Sequence, residues 1–260
     1  MPDQALPAIF VSHGAPDLVE NECAARAFLA GLAERLPRPW SVLAILAHWE
    51  SAAPAVGTAE KPATVHDFSG FAPALYDIRY PAPGAPGLAA RKANLLRRAG
   101  MACTTDNARG LDHGAWAPLI LIYPQADVPV CQLSIQPALG PGHHLDLGRA
   151  LAPLRKDGVL ILASGGAVHN LAHYEPGGTN VADWARRFDD WLAETVVAGR
   201  ADDLIRYRDL SPDAAIAHPR DEHLLPLMVA MGAGGAGTRA TELHRGFMDG
   251  ALSMAAYAFA

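Results

Sequence analysis

Four short, unbroken apolar runs constrain this chain more than any other feature: Ala8–Ser12 (AIFVS), Ser41–Ala47 (SVLAILA), Val128–Ile135 (VPVCQLSI) and Gly158–Ser164 (GVLILAS). Continuous apolarity, rather than alternation, is what a strand covered on both faces requires, as in a parallel sheet. Helical patterns lie between the runs. They span Asn21 to Leu36, Pro86 to Arg98, about His144 to Leu154, and Val181 to Val196, where Val181, Trp184, Phe188, Trp191 and Leu192 follow helical spacing. Strands alternating with helices predict an α/β fold with a mainly parallel central sheet flanked by helices. In such sheets the ligand site lies at the carboxyl ends of the strands. The Pro- and Gly-rich stretch Tyr80–Gly87 reads as an ordered surface loop.

Composition narrows the partners. Half of the 260 residues are hydrophobic and only 18% are charged, enough for a large packed core and too few charges for a disordered chain. A formal net charge of −6 leaves no electrostatic footprint for nucleic acid or an anionic membrane. The longest apolar runs, such as Val159–Ala163, are far too short to cross a bilayer. Cys23, Cys103 and Cys131 show no C-x-x-C pairing, which argues against a disulfide framework and a thiolate zinc site. The opening stretch MPDQALPAIFVSHG lacks a basic region followed by a long apolar one, so no secretory signal is expected. These features predict a cytoplasmic protein acting on a small molecule, as a monomer or small homo-oligomer, with no internal repeat and a single domain over residues 1–260.

The eleven histidines give this frame its chemistry. His13 directly follows the first run, His48 directly follows the second, and His169 lies five residues past Ser164 through the flexible turn Gly165-Gly166. A single histidine after a strand is more often a hydrogen-bonded rim residue than a ligand. Several at equivalent strand ends favour a metal or acid/base cluster. His66, His113, His218 and His223 sit in loops with turn chemistry. Pro219, two acids and the run Leu224–Met228 have the look of a helix start. There Glu222 competes with His223 as a ligand, and adjacent residues point in different directions. His143, His144, His173 and His244 read as surface or helix-face residues.

Other motifs fail. The stretch Gly232–Gly237 formally matches G-x-G-x-x-G but follows a helical pattern rather than a strand, and reads as a flexible loop. No P-loop is present. Ser164-Gly165-Gly166 lacks the leading glycine of a nucleophile elbow.

The ordered set of motifs resembles one family. It runs Ser12-His13-Gly14-Ala15-Pro16, Ala47-His48-Trp49, His66-Asp67-Phe68-Ser69-Gly70-Phe71 and Tyr80-Pro81-Ala82-Pro83-Gly84. It continues with Leu111-Asp112-His113-Gly114-Ala115-Trp116, Gln132-Leu133-Ser134-Ile135, Val168-His169-Asn170-Leu171 and Glu222-His223-Leu224-Leu225-Pro226-Leu227. Together these resemble the class III extradiol ring-cleaving dioxygenases of the single-subunit DOPA-dioxygenase type, over nearly the whole chain. The resemblance implies one catalytic domain with a mononuclear Fe(II) site, in which Zn(II) is also plausible. It implies His13, His48 and His223 as metal ligands, with Glu222 the alternative to His223. His169 is then the acid/base, titrating near neutrality, and His113 a second active-site histidine. His66 falls in a family motif without a transferable role. The implied reaction is extradiol cleavage of a catecholic substrate, DOPA or a relative, with O2, giving a hydroxymuconic-semialdehyde-type product.

Two other readings use the same residues. A zinc-dependent hydrolase or lyase would hold Zn(II) on the three histidines and activate a water. A protein that binds a metal or small molecule without turnover would have no need of His169 and His113.

Overall fold

The four apolar runs become the middle of one sheet in the computed structural model, which describes residues 5–260. The first four residues of the stretch inspected for a signal lie outside the described residues. The strands are β1 (Ala8–Ser12), β2 (Ser41–Glu50), β3 (Ala55–Gly57), β4 (Thr104–Asp106), β5 (Val130–Ile135), β6 (Val159–Gly165), β7 (Ala240–His244), β8 (Phe247–Met248), β9 (Leu252–Ser253) and β10 (Ala256–Phe259). The helices are α1 (Ala24–Ala30), α2 (Pro73–Asp77), α3 (Pro86–Arg98), α4 (His113–Ile122), α5 (Gly140–Leu151) and α6 (Asp183–Val197). Four more follow: α7 (Ala201–Ile205), α8 (Tyr207–Leu210), α9 (Ala214–Ala217) and α10 (Leu225–Gly234).

The sheet order is β4-β3-β5-β2-β6-β1-β10-β7. The central four, β5, β2, β6 and β1, are parallel. β3 joins β5 antiparallel on one side, and β10 joins β1 antiparallel on the other. Side chains alternate between two cores. Phe10, Leu43, Ile45 and Ile161 face a cluster built with α3, α5, α6 and α10. Ile9, Val11, Val42, Ala44 and Leu162 face a second cluster with α1 and α4. Both faces are covered, which is why the runs are apolar at every position. No helix among the described residues is long and apolar enough to cross a membrane.

Several sequence expectations need correction. β2 does not stop before His48; a register shift after Ile45 lets it run on until Glu50 pairs with Ile135, placing His48 inside the strand. The segment Asn21–Leu36 is not one helix, because α1 ends at Gly31 and a short 3-10 turn, Leu32–Arg35, follows. The helix near Pro219 begins only at Leu225, with Pro226 in its first turn, so Pro219–Leu224 remains a series of bends and turns.

Gly232–Gly234 is not a flexible loop but the end of α10, which is buried on every side. A Cβ on Gly232 would lie 2.0 Å from Leu145 O, and one on Gly148 would lie 2.1 Å from Val229 O. These glycines let α5 and α10 touch backbone to backbone. His144 is fully buried rather than on the surface: its Nε2 accepts from the Gln136 N–H at 3.0 Å and its Nδ1 donates to Gly140 O at 2.7 Å. His244 is half-buried on strand β7, stacked on Phe28.

Candidate metal centre and its cavity

Three strand-level facts bring the histidines together. In the parallel pairing Ser12 lies opposite Gly165 and Leu46 opposite Ser164, so His13 and His48 emerge on either side of β6 at nearly the same height. Gly165 is the buried end of β6 rather than part of a flexible turn. A Cβ there would lie 2.1 Å from His223 O, so only glycine lets the His223 backbone settle onto the strand. The Gly166 N–H then donates to that carbonyl at 2.9 Å, and the His13 N–H donates to Gly165 O at 3.0 Å. The chain after β6 thus holds His223 between the two strand-end imidazoles.

The ring centroids of His13 and His48 are 4.8 Å apart, those of His13 and His223 5.3 Å, and those of His48 and His223 5.1 Å. Nε2 of His48 faces Nε2 of His223 at 3.1 Å. His113 joins the cluster at 4.2 Å from His48 and 5.6 Å from His13. His169 stacks on His223 with centroids 3.4 Å apart and planes within 8°. All five line one cavity of about 540 Å³. Nitrogen atoms of His13, His48 and His113 lie within 4.8 Å of one another, as do donor atoms of His169, Glu222 and His223.

The outer nitrogens are fixed from behind. Ser164 Oγ donates to Gly114 O at 2.6 Å, and His13 Nδ1 sits 3.0 Å from the same hydroxyl. His223 Nδ1 lies 3.0 Å from Glu222 Oε1, placing Glu222 behind the ring. Asp67 Oδ1 accepts from the His113 N–H at 3.0 Å and from its Nδ1 at 2.8 Å. The other oxygen of Asp67 is 3.1 Å from His48 Nδ1, and Asp112 Oδ1 is 3.6 Å from it. Asp112 is itself buried and paired with Arg109.

Burial, reinforced by His48 and His113, holds the His13 imidazole neutral far below its usual range, and burial with His169 and His13 does the same for His223. Burial would also lower His48, but the Asp112 and Asp67 carboxylates outweigh it and push it up to about 9. Burial favours a protonated Asp67, yet the hydrogen bonds from His113 and His48 prevail and keep it ionised well below the ordinary carboxylate range. His169 does not titrate near neutrality: burial, then His218, His48 and His113, lower it to about 3.

One further placement differs from the sequence reading. His113 is not in a loop but opens α4, whose Ala115 and Trp116 N–H groups bond to Asp112 O. That helix is apolar on all sides and contains Pro118, so it shows no amphipathic period. His66 lies outside the cavity, where its Nε2 donates to Ile78 O at 3.1 Å among Phe68, Tyr76 and Trp116. Sequence reasoning missed Ser164, Asp67 and Asp112 as partners of the imidazoles. Adjacency was no guide to them: Asp67 follows His66 yet bonds to His113, and Asp112 precedes His113 yet lies beside His48.

The chain belongs to the family described as the catalytic LigB subunit of aromatic ring-opening dioxygenase, whose model matches residues 20–259. It is accordingly a class III extradiol dioxygenase, which sets aside the hydrolase, lyase and binding-only readings. Among curated relatives, a 4,5-DOPA dioxygenase extradiol of Beta vulgaris is 42% identical, the match covering 99% of this chain and 97% of the relative. A protein of the same name from Escherichia coli K12 is 38% identical, with 98% and 94% covered. The crystal structure of an uncharacterized Escherichia coli K12 protein superposes with a TM-score of 0.83 at 33% identity, covering 98% of this chain and 100% of that one.

Proposed function

We propose that this chain opens the ring of DOPA or a closely related catechol with O2, outside the two hydroxyls, to a hydroxymuconic-semialdehyde-type product. It would do so at a metal held by His13, His48 and His223. The observation that carries this reading is the 3.1 Å approach of two Nε2 atoms, on His48 and His223. Metal–imidazole bonds of about 2.0–2.1 Å place neighbouring ligand nitrogens about 3 Å apart. That spacing fits a common cation, which would take the place of the proton that Asp112 and Asp67 favour on His48. Glu222 then serves as the partner behind His223 rather than as a ligand, the outer-sphere carboxylate that ligating histidines commonly have. Bound Fe(II) would supply the electron-transfer chemistry that joins a catechol to O2; Zn(II), which also suits three imidazoles, has no accessible redox change.

The remaining residues act on protons and on orientation. His169 is neutral and lines the cavity, so it can take the catechol hydroxyl proton and return it later as the ring opens. His113 has Nδ1 committed to Asp67, which leaves Nε2 to hydrogen-bond a substrate oxygen. The outer walls of the cavity carry Phe68, Phe71, Leu171, Tyr174 and Leu252, against which a bound ring can pack.

Oxygen uptake tests the proposal. After anaerobic Fe(II) loading, DOPA should drive O2 consumption with a new visible absorbance, and zinc-loaded protein should do neither. His169→Phe should keep its metal and lose at least about a hundredfold in turnover. An iron-loaded protein that consumes no O2 with any catechol refutes the reaction, and loss of metal from His169→Phe refutes the division of roles.

A further inference from the structure

We infer that the part of the cavity receiving the substrate's side chain selects by charge: it accepts catechols whose substituent is neutral or carries an ammonium group, and rejects those whose only charge there is a carboxylate. The inference rests on the catechol reading above and deepens it. Once the diol is taken up by the histidine cluster, the substituent meets the remaining walls, made by Pro16, Phe68, Phe71, Leu171, Tyr174 and Leu252. No lysine or arginine lines the cavity among the described residues, and residues 1–4 contain none. The arginines nearest to site residues in sequence are already engaged. Arg109 pairs with Asp112, and Arg220 pairs with Glu50 and lies 3.5 Å from Glu222. Among the described residues the one carboxylate that lines the cavity is Asp67, whose oxygens are already engaged by His113 and His48.

A carboxylate drawn into these walls would lose its water without gaining a cation. An ammonium group meets different conditions, because aromatic rings attract it. Those rings are fixed in advance: Phe68 packs against Phe71, Tyr76 and His113 with centroids 5.4, 5.1 and 5.6 Å away. The amino-acid side chain of DOPA carries both charges, so its ammonium offsets its carboxylate. A side chain ending in a carboxylate alone has no such relief.

Three catechols that carry the same two-carbon link on the ring, bare or ending in a charge, separate the possibilities: dopamine, 4-ethylcatechol and 3-(3,4-dihydroxyphenyl)propionate. Dissociation constants are measured by calorimetry on the Fe(II)-loaded protein under anaerobic conditions, and ring opening is followed separately after O2 is admitted. Dopamine and 4-ethylcatechol should each bind at least about tenfold tighter than the propionate. Leu171 is 65% exposed at the cavity lip, so Leu171→Arg can place a cation there without disturbing the core. That variant should close most of the gap by tightening the propionate. Equal or tighter binding of the propionate by the unaltered protein, or a gap that Leu171→Arg leaves untouched, overturns the selection while ring opening still upholds the catechol reading. Failure of all three to bind or to be opened brings down both.

Discussion

The hydroxyl of Ser164 has one hydrogen, and Gly114 O takes it at 2.6 Å. What remains on that oxygen is a lone pair, so the His13 nitrogen 3.0 Å away must be the donor. One buried serine thereby fixes His13 with its proton on Nδ1 and its free electron pair on Nε2, the state a metal ligand needs. Asp67 acts in the same way on His113, and its second oxygen lies beside His48. Ser164→Ala should lower metal affinity by about ten- to a hundredfold with the fold retained. Competition against a chelator, with circular dichroism in parallel, measures this; undiminished affinity would show that Ser164 does not govern the imidazole. His13 was visible in the sequence because it follows a strand and His48 because the apolar run breaks at it, whereas His113 and His223 stood out through the family motifs. Their partners were not, since an aspartate beside a histidine in a polar loop reads equally well as a turn cap, and a serine closing a strand reads as nothing at all.

Among the elements, the four central strands and the helices α3 and α6 were legible because burial on both faces, or on one, leaves a plain pattern. The antiparallel strands β7 and β10 were not, since Ala240–His244 is mixed in composition and Ala256–Phe259 is only four residues long. α4 escaped for the opposite reason, being apolar throughout. The glycines that close α10 were misread because glycine signals flexibility locally, whereas Gly232 signals contact. Gly232→Ala sets two effects against each other. Helix propensity favours alanine by about 1 kcal/mol. The added Cβ, however, would lie 2.0 Å from Leu145 O, a backbone atom that cannot yield without moving α5. Overpacking of this kind costs about 1–3 kcal/mol and more when backbone is involved. The substitution should therefore destabilise by about 2 kcal/mol or more, read as a lower urea midpoint. An unchanged or higher midpoint would mean the two helices have slack between them.

For the molecule as a whole, buried imidazoles couple stability to pH. Burial lowers His144 and His218 from 6.5 to about 4, although Gly140 O and Ala167 O each accept a hydrogen bond from them. Between pH 6.5 and 4 the unfolded chain binds these protons and the fold does not, so stability is full above 6.5 and falls as pH drops. By pH 5 each should have withdrawn about 2 kcal/mol. Urea unfolding at pH 7.5 and pH 5 should show this decline, and His144→Gln should make it shallower; an identical slope in the variant would show that His144 carries no such coupling. The sheet has one more consequence at this level. β1, which delivers His13, is flanked on one side by β10, with Ala8 beside Phe259, and the Ser12 N–H donates to Ala255 O. A ribosome makes β1 some 240 residues before β10. A nascent chain can therefore assemble α1, α3 and the parallel strands of its middle while the first imidazole still lacks its outer neighbour. Completion of the wall beside that imidazole is thus deferred until β10 has been made.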